Sequence, residues 1–493
     1  MRRGRRRPAI APPALDDTQR ALIARLEPTF EFWQTGAAYQ AGRHQEPHDV
    51  RRAGGAQLAA VLPHEAHAAW TPPKNRPGAA DTVIAGNAGR QKALIPLRMG
   101  RMAASPFAFL RGAAAVMAWD LSHTPVSGPQ VIIDGDAHIN NFGLFGTPQR
   151  EIILDLNDFD EATNGPWEWD VKRLVASVNV AGRENGLTRK DRRRAVMRAA
   201  LGYRWNIARL SNAGVLDVWA RFTYAERKPT AVKVPSKAWA IIQKTADKAR
   251  RTNNETLLPK VARRGHDGGW RFVEAPPILT RVNDATREQV VASLTEYAET
   301  LPAAYRYMVG RYAVADVAHR VVGVGSVGTR AYLLLMFGNG DHDPLFLQVK
   351  EATSSVLEDH LPKSRYHNPG ERVVQGQRMM QAASDIYLGW SKGIQADRYF
   401  YWRQLRDMKA SAVVEGMTAF GLGLYAKVCG WTLARAHARS GDVIALNEYL
   451  GTDDDFDTAI ADFSARSADQ NERDYQAFAD AVQSGRIPAV QGV

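Results

Sequence analysis

The segment from residue 131 to residue 174 constrains the fold most strongly, because it sets acidic residues beside apolar runs. Residues 131–134 and 151–156 each have the composition of a buried β-strand, and the short turn GTPQ before the second run predicts a hairpin. Removing a carboxylate from water costs free energy unless a charged partner compensates it. The acids therefore predict a site that binds a charged ligand at the ends of these strands.

Length and composition limit the possible architectures. A chain of 493 residues is too long for a single compact core, so we expect two domains or one large domain with additions. No apolar run approaches the roughly 20 residues that a membrane-spanning helix requires. The N-terminus is basic, then rich in proline and alanine, and lacks the apolar core of a secretory signal, so we expect a basic arm there. The single cysteine, Cys429, excludes an internal disulfide and indicates a reducing, cytoplasmic location.

The net charge of +12 suits anionic ligands. Five arginines within the first seven residues supply part of this charge and leave about +7 for the rest of the chain. Nucleotides, nucleic acid and acidic lipid surfaces are the ligand classes concerned, although a solvated surface on an arginine-rich protein is the simpler explanation. A basic nucleic-acid-binding protein is therefore one class that the composition leaves open without favouring it.

The hydrophobic periodicity predicts an α+β fold. Residues 188–310 carry apolar residues at helical spacings, whereas two β-rich runs joined by a Gly/Asp/Pro turn begin near Asp316. A helix is predicted from about 371 to 389, then a strand at RYFYWRQL, then helices to the end. We expect four parts: 1–97, a basic arm with a helical extension; 98–315, a large lobe; 316–412, a small β-rich lobe; and 413–493, helices that return to the large lobe.

The sequence DGDAHINN places Asp136 and Asn141 five residues apart on a loop that follows a buried strand. Phosphoryl transfer uses a carboxylate that orients an attacking hydroxyl, with an amide oxygen nearby on Mg²⁺, and these two residues would provide both. His138 lies in the same loop, where it would stabilise the loop or contact phosphate. The alternative is an ordinary turn, in which Asp and Asn are common.

Two further aspartates follow this loop. Asp158 comes 22 residues after Asp136, just past the second strand, in the sequence DFDEA. Its carboxylate is a candidate ligand for Mg²⁺, and a solvated acidic turn is the alternative. Asp170 comes 12 residues later, at the start of a predicted helix, where an N-terminal cap is the plainest interpretation.

The sequence GVGSVG predicts a glycine-rich turn over phosphate groups. It contains Gly323, Gly325 and Gly328, with Ser326 between them. A dinucleotide-binding turn would lead into a helix, but this one leads into TRAYLLLMF, which has a strand pattern. We therefore expect a strand–turn–strand lid of the kind found over nucleotide phosphates in kinases.

Lys350 ends the apolar strand PLFLQVKEA and is the predicted phosphate ligand beneath that turn. The alternative is an ordinary charge on an edge strand. We expect Glu371, at the start of the next helix, to be the acidic partner of this lysine, with Glu351 and Glu358 as competitors. A negative charge at a helix N-terminus would also explain Glu371.

The acidic segment resembles the catalytic core of the aminoglycoside phosphotransferase and choline kinase-like group. That group has an HGD.H..N loop, then a D-F/W-acid turn, then P..D before a helix. The matching positions are, in order, Asp136, His138, Asn141, Asp158, Pro166 and Asp170. Asp134 departs from the pattern, because the group has histidine there. The resemblance implies a two-lobed kinase-like fold, ATP and Mg²⁺ as cofactors, metal ligation by Asn141 and Asp158, and an Asp170 that braces the loop.

More closely, the chain resembles a bacterial family known as domain of unknown function 2252. The motifs that carry this resemblance span roughly residues 98–475 and are SPFAFLRGAA, NDFDEA, EWDVKRL, GVGSVGTR, LQVKEA, RQLRDMK and LARAHARSGD. The family name implies no reaction.

The motifs occur in a different order from ordinary kinases, in which the glycine turn precedes the catalytic loop. Here the turn follows by almost 190 residues, which indicates a circular permutation with the helix LARAHARSGD leading into the loop. The alternative keeps the usual order, with Asp442 and Asn447 of SGDVIALN in the catalytic loop. We favour permutation, because only 13 residues separate Asp442 from Asp455 and VIALNEYL has a helical pattern, which leaves no room for a strand pair.

We therefore expect an ATP- and Mg²⁺-dependent phosphotransferase that acts on a hydroxyl of an unidentified small molecule or protein. Asp136 would take the hydroxyl proton, and Lys350 would contact the phosphates. Two alternatives use the same site, namely nucleotidyl transfer and a catalytically inactive nucleotide-binding regulator. The third alternative, nucleic-acid binding, depends only on the charge.

Overall fold

The structure is a computed structural model that describes residues 46–225, 236–321, 323–394, 396–405 and 408–490. The predicted basic arm falls among residues 1–45 and lies outside the described residues. The described chain is α+β, as the sequence predicts, with many helices around several small antiparallel sheets. No helix in these ranges is both long and apolar enough to cross a membrane.

Five helices precede the first strand of the described chain. They are α1 (His48–Val61), α2 (Ala79–Ala85), α3 (Ile95–Met102), α4 (Pro106–Gly112) and α5 (Ala114–Leu121). α4 begins directly after Ser105, because the Ser105 side chain accepts the N–H of Ala108 and a proline occupies the first turn. α4 and α5 are separate helices, because the backbone leaves the helical region at Ala113.

Two pairs of antiparallel strands and two long helices form the centre of the predicted large lobe. They are β1 (Gln130–Ile133), β2 (Phe142–Gly146), β3 (Ile152–Leu156), β4 (Thr163–Pro166), α6 (Trp167–Glu184) and α7 (Arg189–Leu210). β2 and β3 form the predicted hairpin, and β1 pairs with β4. The connections β1–β2 and β3–β4 therefore meet at one end of the strands, and we call them the first acidic loop (134–141) and the second acidic loop (157–162).

The next part of the chain is mainly helical, with three short strands inserted. Its elements are α8 (Val215–Trp219), α9 (Ser236–Arg250), α10 (Asn254–Val261), β5 (Ala262–Arg264), β6 (Trp270–Phe272), β7 (Leu279–Arg281), α11 (Asp284–Glu299) and α12 (Ala303–Val309). β5 and β6 pair as a short antiparallel hairpin. α11 packs its apolar side, including Val290 and Tyr297, into a core beneath the following sheet.

A six-stranded antiparallel sheet follows in the chain. Besides β7, its strands are β8 (Ala313–Arg320), β9 (Ala331–Phe337), β10 (Pro344–Ala352), β11 (Gly389–Gly393) and β12 (Ala396–Gln404). The helix α13 (Pro369–Met380) lies between β10 and β11 in the chain. The strand order is β11-β12-β10-β9-β8-β7, so the glycine turn joins neighbouring strands and Lys350 lies on the strand after them. The sheet begins earlier than residue 316, because β7 pairs with β8. α13 ends before residue 389, because Gln381 is extended.

The last elements return to the apolar core that contains β1–β3, α6 and α7. They are β13 (Ala410–Ser411), which pairs with β2, and the helices α14 (Ala419–Ala438), α15 (Val443–Leu450) and α16 (Asp455–Gln483). α14 lies close against α7, where a Cβ on Gly430 would come within 2.1 Å of the carbonyl oxygen of Ala199. One apolar core joins β1–β3 with α6, α7 and α14–α16, and a second lies beneath the six-stranded sheet.

Candidate functional site

A cleft of about 1970 Å³ lies between the six-stranded sheet and the two acidic loops. Its lining residues include Asp136, Asn141, Asp158, Gly325 and Lys350. These residues come from the two separate parts of the chain in which the sequence analysis finds its motifs. The structure therefore brings the acidic loops, the glycine turn and the strand lysine to one cavity.

Asp170 holds the first acidic loop in place. Its two carboxylate oxygens accept the N–H groups of Asp134 at 2.7 Å and Gly135 at 2.9 Å, and the His437 ring lies 3.1 Å away. Gly135 has φ +78°, and a Cβ there would lie 2.6 Å from the carbonyl oxygen of Glu161, so the loop requires glycine at this point. Because Asp170 stands in the first turn of the buried helix α6, these bonds tie the loop to a rigid element.

Asp136 faces the cleft with its carboxylate oriented by Arg173. Nε of Arg173 donates to Oδ1 of Asp136 at 2.9 Å, and Nη2 lies 2.7 Å from the same oxygen. Arg173 is itself fixed, since Nη2 also donates to the carbonyl oxygen of Leu110 at 2.7 Å. Burial raises the pKa of Asp136 to about 7, although the Arg173 charge acts in the opposite direction. A carboxylate that is fixed in orientation and exchanges a proton near neutral pH is suited to general-base chemistry.

Two buried groups flank Asp136. Asp134, which stands where the resembling kinases have histidine, accepts the N–H of Asp136 at 3.1 Å and Nδ2 of Asn141 at 3.0 Å on one oxygen. Burial first, and then the Asp170 charge, raises the pKa of Asp134 well above its usual value, which favours the neutral acid. His138 has Nε2 3.8 Å from Oδ2 of Asp136, and burial lowers its pKa well below the usual value. Asp134 thus anchors the loop by hydrogen bonds without adding a second full negative charge.

Asn141 joins the two acidic loops. Its Nδ2 donates to the carbonyl oxygen of Asp158 at 2.9 Å, and its Oδ1 accepts the N–H of Asp158 at 2.8 Å. An amide oxygen has two lone pairs, so one of them remains available after this contact. The two predicted metal ligands are therefore neighbours in space.

Lys350 lies between two aspartates of the second acidic loop. Its Nζ contacts Oδ2 of Asp160 and lies 3.6 Å from Oδ1 of Asp158. Asp160 also accepts the Tyr401 hydroxyl at 2.8 Å and the Ser326 hydroxyl, from the glycine turn, at 3.2 Å. Burial opposes the charge of Asp160, but the Lys350 ammonium outweighs it and lowers the pKa of this carboxyl to about 2. Burial likewise opposes the charge of Lys350, and the two aspartates raise its pKa. The lysine therefore stays charged inside the protein.

Glu371 is the predicted site residue that the structure does not bring to Lys350. Its N–H lies 3.4 Å from the cap oxygen of Asn368 at the start of α13. The same helix contributes Arg372, whose Nη2 donates to the carbonyl oxygen of Asp160 at 2.7 Å and so holds the second acidic loop. The acidic partner predicted at Glu371 is therefore corrected to the aspartates of that loop, which lie closer to the lysine.

Two side chains that complete the site were missed from the sequence. Asp160 is the second acid of the turn DFDEA, and this doubling is the signal that could have singled it out. Arg173 follows Asp170 by three residues, so both lie on one face of α6 next to the first acidic loop. The two competitors considered for the lysine, Glu351 and Glu358, pair with arginines instead.

The glycine turn between β8 and β9 is held from outside by the helical extension. Gly323 and Gly328 have φ of +63° and +90°, which are left-handed conformations that favour glycine. Nη1 of Arg101 donates to the carbonyl oxygen of Gly323 at 2.8 Å, and the N–H of Gln91 donates to that of Gly328 at 2.8 Å. Nothing in the sequence predicts these contacts. These contacts tie the glycine turn to the helical region that precedes β1.

The alternative catalytic loop, SGDVIALN, has a structural role. Oδ1 of Asp442 accepts the N–H groups of Ile444 and Ala445, each at 3.0 Å, and so caps α15. The same carboxylate pairs with Arg51 at 2.6 Å. Asn447 lies within the helix. This segment therefore provides a helix start, as its periodicity predicts, and no loop for a ligand.

The residues present fit a Mg²⁺–nucleotide. Within the described part of the chain, no group of three or more His, Cys, Asp or Glu side chains is placed to hold a metal by itself. Mg²⁺ bound with a nucleotide needs fewer, since one or two protein oxygens, phosphates and waters complete its shell. Oδ1 of Asp158 is buried and accepts no hydrogen bond, and Oδ1 of Asn141 contacts the backbone of the same residue. These two oxygens would hold the metal.

Comparisons with known proteins bear on the family and on nothing further. No curated protein and no solved structure matches the chain. A family model described as "Uncharacterized protein conserved in bacteria (DUF2252)" matches residues 90–481. The match covers the helical extension from Arg90 onward, both acidic loops, the glycine turn, Lys350 and most of α16. The chain therefore belongs to this bacterial family.

Proposed function

We propose that this chain is an ATP- and Mg²⁺-dependent phosphotransferase that transfers the terminal phosphoryl group to a hydroxyl of a small molecule or protein. The observation that carries the proposal is the meeting in one cleft of the oriented Asp136, the Asn141–Asp158 pair and the buried Lys350. Phosphoryl transfer depends on positioning and charge neutralisation, and these groups supply both.

The topology of the sheet supports a kinase-like fold. Apart from the edge strand β7, the glycine turn joins the first two strands, Lys350 lies on the third, and α13 separates the third from the fourth. Protein kinases carry a glycine-rich loop over the phosphates and their phosphate-binding lysine on the third strand. The helix differs from theirs, because it supplies Arg372 to the second acidic loop where a kinase helix supplies a glutamate to the lysine.

The contact between α14 and β1 supports a circular permutation. α14 ends at Ala438, and the hydroxyl of Ser440 accepts the N–H of Ile132 in β1 at 2.9 Å. The last turn of α14 also carries His437, which lies beneath the first acidic loop against Asp170. The helix that follows the small lobe thus leads in space to the strand before that loop, although the two are far apart in sequence.

In the proposed reaction, Asp136 orients the acceptor hydroxyl and takes its proton. The hydroxyl oxygen forms a bond to the terminal phosphorus of ATP while the bond from that phosphorus to the bridging oxygen breaks, and ADP leaves with the electron pair. Arg173 keeps the base in position, and Lys350 binds phosphate oxygens beneath the glycine turn. Mg²⁺, held by Asn141 and Asp158, would neutralise phosphate charge.

Transfer from labelled ATP tests this function. The full chain is incubated with Mg²⁺, a panel of hydroxyl compounds, and ATP labelled on either the γ- or the α-phosphate. We expect transfer of the γ-label only, abolished by Asp158→Ala and unchanged by Asp397→Asn, a substitution of an aspartate whose side chain is 98% exposed. Transfer of the α-label would indicate nucleotidyl transfer, and nucleotide binding without any turnover would indicate a regulator. Either result contradicts the proposal.

A further inference from the structure

Three arginines of the helical region before β1 line the cleft next to the glycine turn and the first acidic loop, namely Arg90, Arg98 and Arg111. Within residues 46–490, as far as the structure describes them, none of the three is ion-paired with a carboxylate. Arg90 donates to the carbonyl oxygens of Gly86 and Val327, at 3.0 and 2.7 Å. Carboxylates act on Arg90 and Arg111 from a distance without forming ion pairs. On Arg98 no carboxylate acts, because burial and the Arg90 charge are its influences.

Arg98 is the most deeply buried of these arginines, at 4% exposure. Its two Nη atoms donate to Oδ1 of Asn87 at 2.9 Å and to the carbonyl oxygen of Gly112 at 3.0 Å, and its Nε has no partner. Burial is the main influence on Arg98 and lowers its pKa to about 9, with the Arg90 charge adding to the effect. A guanidinium taken out of water with no anion beside it is costly, so its placement at a cleft indicates a ligand.

Arg111 lies near both the glycine turn and the first acidic loop. Its carbonyl oxygen is 3.6 Å from the position of a Cβ on Gly325, and its charge acts on both Asp136 and His138. Its Nε is buried without a partner, and its guanidinium donates to no acceptor in the described chain. The Phe107 ring lies 6.0 Å away, and the charges of Glu415, Asp136 and Glu184 act on the guanidinium from a distance. The guanidinium is therefore available beside the proposed base.

Two cations beside the acidic loops are already paired. Arg173 is paired with Asp136, and Lys350 is paired with Asp160. His138, which is 9% exposed, presents an Nδ1 without a partner in the same region as Arg111. Arg111, which forms no ion pair, and the unpartnered Nδ1 of His138 thus both lie at the Asp136 end of the cleft.

We propose that Arg98 and Arg111 bind an oxyanion, phosphate or carboxylate, carried by the acceptor substrate, so that the acceptor hydroxyl is presented to Asp136. The acceptor class is then a phosphorylated or carboxylated alcohol. This assignment rests on the proposed phosphotransferase function and narrows its substrate. The nucleotide phosphates already have Lys350 and the glycine turn, so the arginines remain for the second reactant. Bidentate recognition of oxyanions is the contact for which guanidinium is best suited.

Calorimetric titration of inorganic phosphate into the full chain at low salt tests the site, with and without a saturating non-hydrolysable ATP analogue and Mg²⁺. We expect phosphate to bind in both conditions, with affinity reduced about tenfold by Arg111→Gln and partly retained by Arg111→Lys. Arg466→Gln, which changes an exposed arginine of α16, is the matched control and should bind as the unaltered chain does.

Three results would overturn the assignment. Phosphate binding that Arg111→Gln leaves unchanged would show an adventitious ion only. Loss of phosphate binding on addition of the analogue would assign the arginines to the nucleotide's own terminal phosphate. Binding of the analogue without any phosphate binding would remove the anionic acceptor and leave the phosphotransferase function standing. Failure of the analogue itself to bind is a separate result, which contradicts the proposed function and the acceptor role together.

Discussion

Two segments of this chain place aspartate and asparagine five residues apart, and the structure uses them in opposite ways. In residues 136–141 the aspartate lies on the loop that follows β1 and faces the cleft, and Arg173 orients its carboxylate. In residues 442–447 the aspartate caps α15 with its own carboxylate and pairs with Arg51. The same spacing therefore gives a candidate base in one place and a helix cap in the other.

The difference lies in which groups satisfy the local backbone. The N–H groups at the start of the first acidic loop are accepted by the side chains of Asp170 and Asp134, so the Asp136 carboxylate has no capping to do. At the start of α15, Asp442 itself accepts backbone N–H groups, and its two carboxylate oxygens also accept hydrogen bonds from Arg51. Whether the aspartate carboxylate is left facing the cleft therefore depends on neighbouring acids that accept the backbone N–H groups, and not on the Asp–Asn spacing.

Replacing each of these aspartates by its amide should give the largest contrast. We expect Asp136→Asn to lower kcat by about 10²–10⁴-fold, because an amide takes no proton from the acceptor. Asp442→Asn should leave kcat nearly unchanged, since that carboxylate lies outside the cleft lining. Steady-state transfer from ATP, with folding checked by circular dichroism, measures both. Equal losses in the two variants would contradict the distinction between the segments.

Lys350→Met tests whether the lysine on the opposite wall of the cleft binds a ligand. The substitution removes the ammonium that contacts Asp160, whose side chain is 30% exposed and is still influenced by Arg403, so we expect the free energy of unfolding to fall by about 1–3 kcal/mol. Adding Asp160→Asn removes the stranded charge and should restore most of that stability, while transfer from ATP stays lost. Denaturant unfolding and the transfer assay separate the two effects. Recovery of transfer in the double variant would mean that the lysine serves only to neutralise Asp160.

The pH dependence of kcat/KM gives a smaller effect, which Asp136 should impose. The base acts in its deprotonated form, and burial raises its pKa to about 7. Activity should therefore be lost as the pH falls through 7, with about a tenfold rise from pH 6 to pH 8. A flat profile over this range would argue against Asp136 as the base.

The smallest expected effect is on stability, from Asp442→Ala. Loss of the cap of α15 should lower the free energy of unfolding by about 1–2 kcal/mol without changing nucleotide affinity. Urea unfolding and a nucleotide titration check the two halves of this statement. A weaker affinity for nucleotide would show that residues 442–447 contribute to the site, and would contradict their distinction from the first acidic loop.

Local pattern predicted the parts of the site that depend on neighbours in sequence. The β2–β3 hairpin, the loop that carries Asp136 and Asn141, and the strand that carries Lys350 all lie where periodicity and turn chemistry put them. The partner of the lysine was predicted wrongly at Glu371. A sequence shows which residues begin a helix, but not that a loop almost two hundred residues away lies closer to the lysine.

The helices before β1 show more strongly that a sequence does not reveal contacts between distant segments. Arg98 and Arg111 are ordinary helical arginines in the sequence, and only the packing of α3 and α4 against the glycine turn makes them part of the cleft. The basic composition predicted an anionic ligand in general terms. It could not separate the cleft arginines from those of the N-terminal arm, because both contribute equally to the net charge.

A crystal structure of the full chain with Mg²⁺ and a non-hydrolysable ATP analogue tests the central claim most directly. The account predicts one triphosphate bound beneath the 323–328 turn, with its oxygens on Nζ of Lys350 and a metal between them and the oxygens of Asn141 and Asp158. A nucleotide bound elsewhere on the molecule, or bound with its terminal phosphate remote from Asp136, would contradict it.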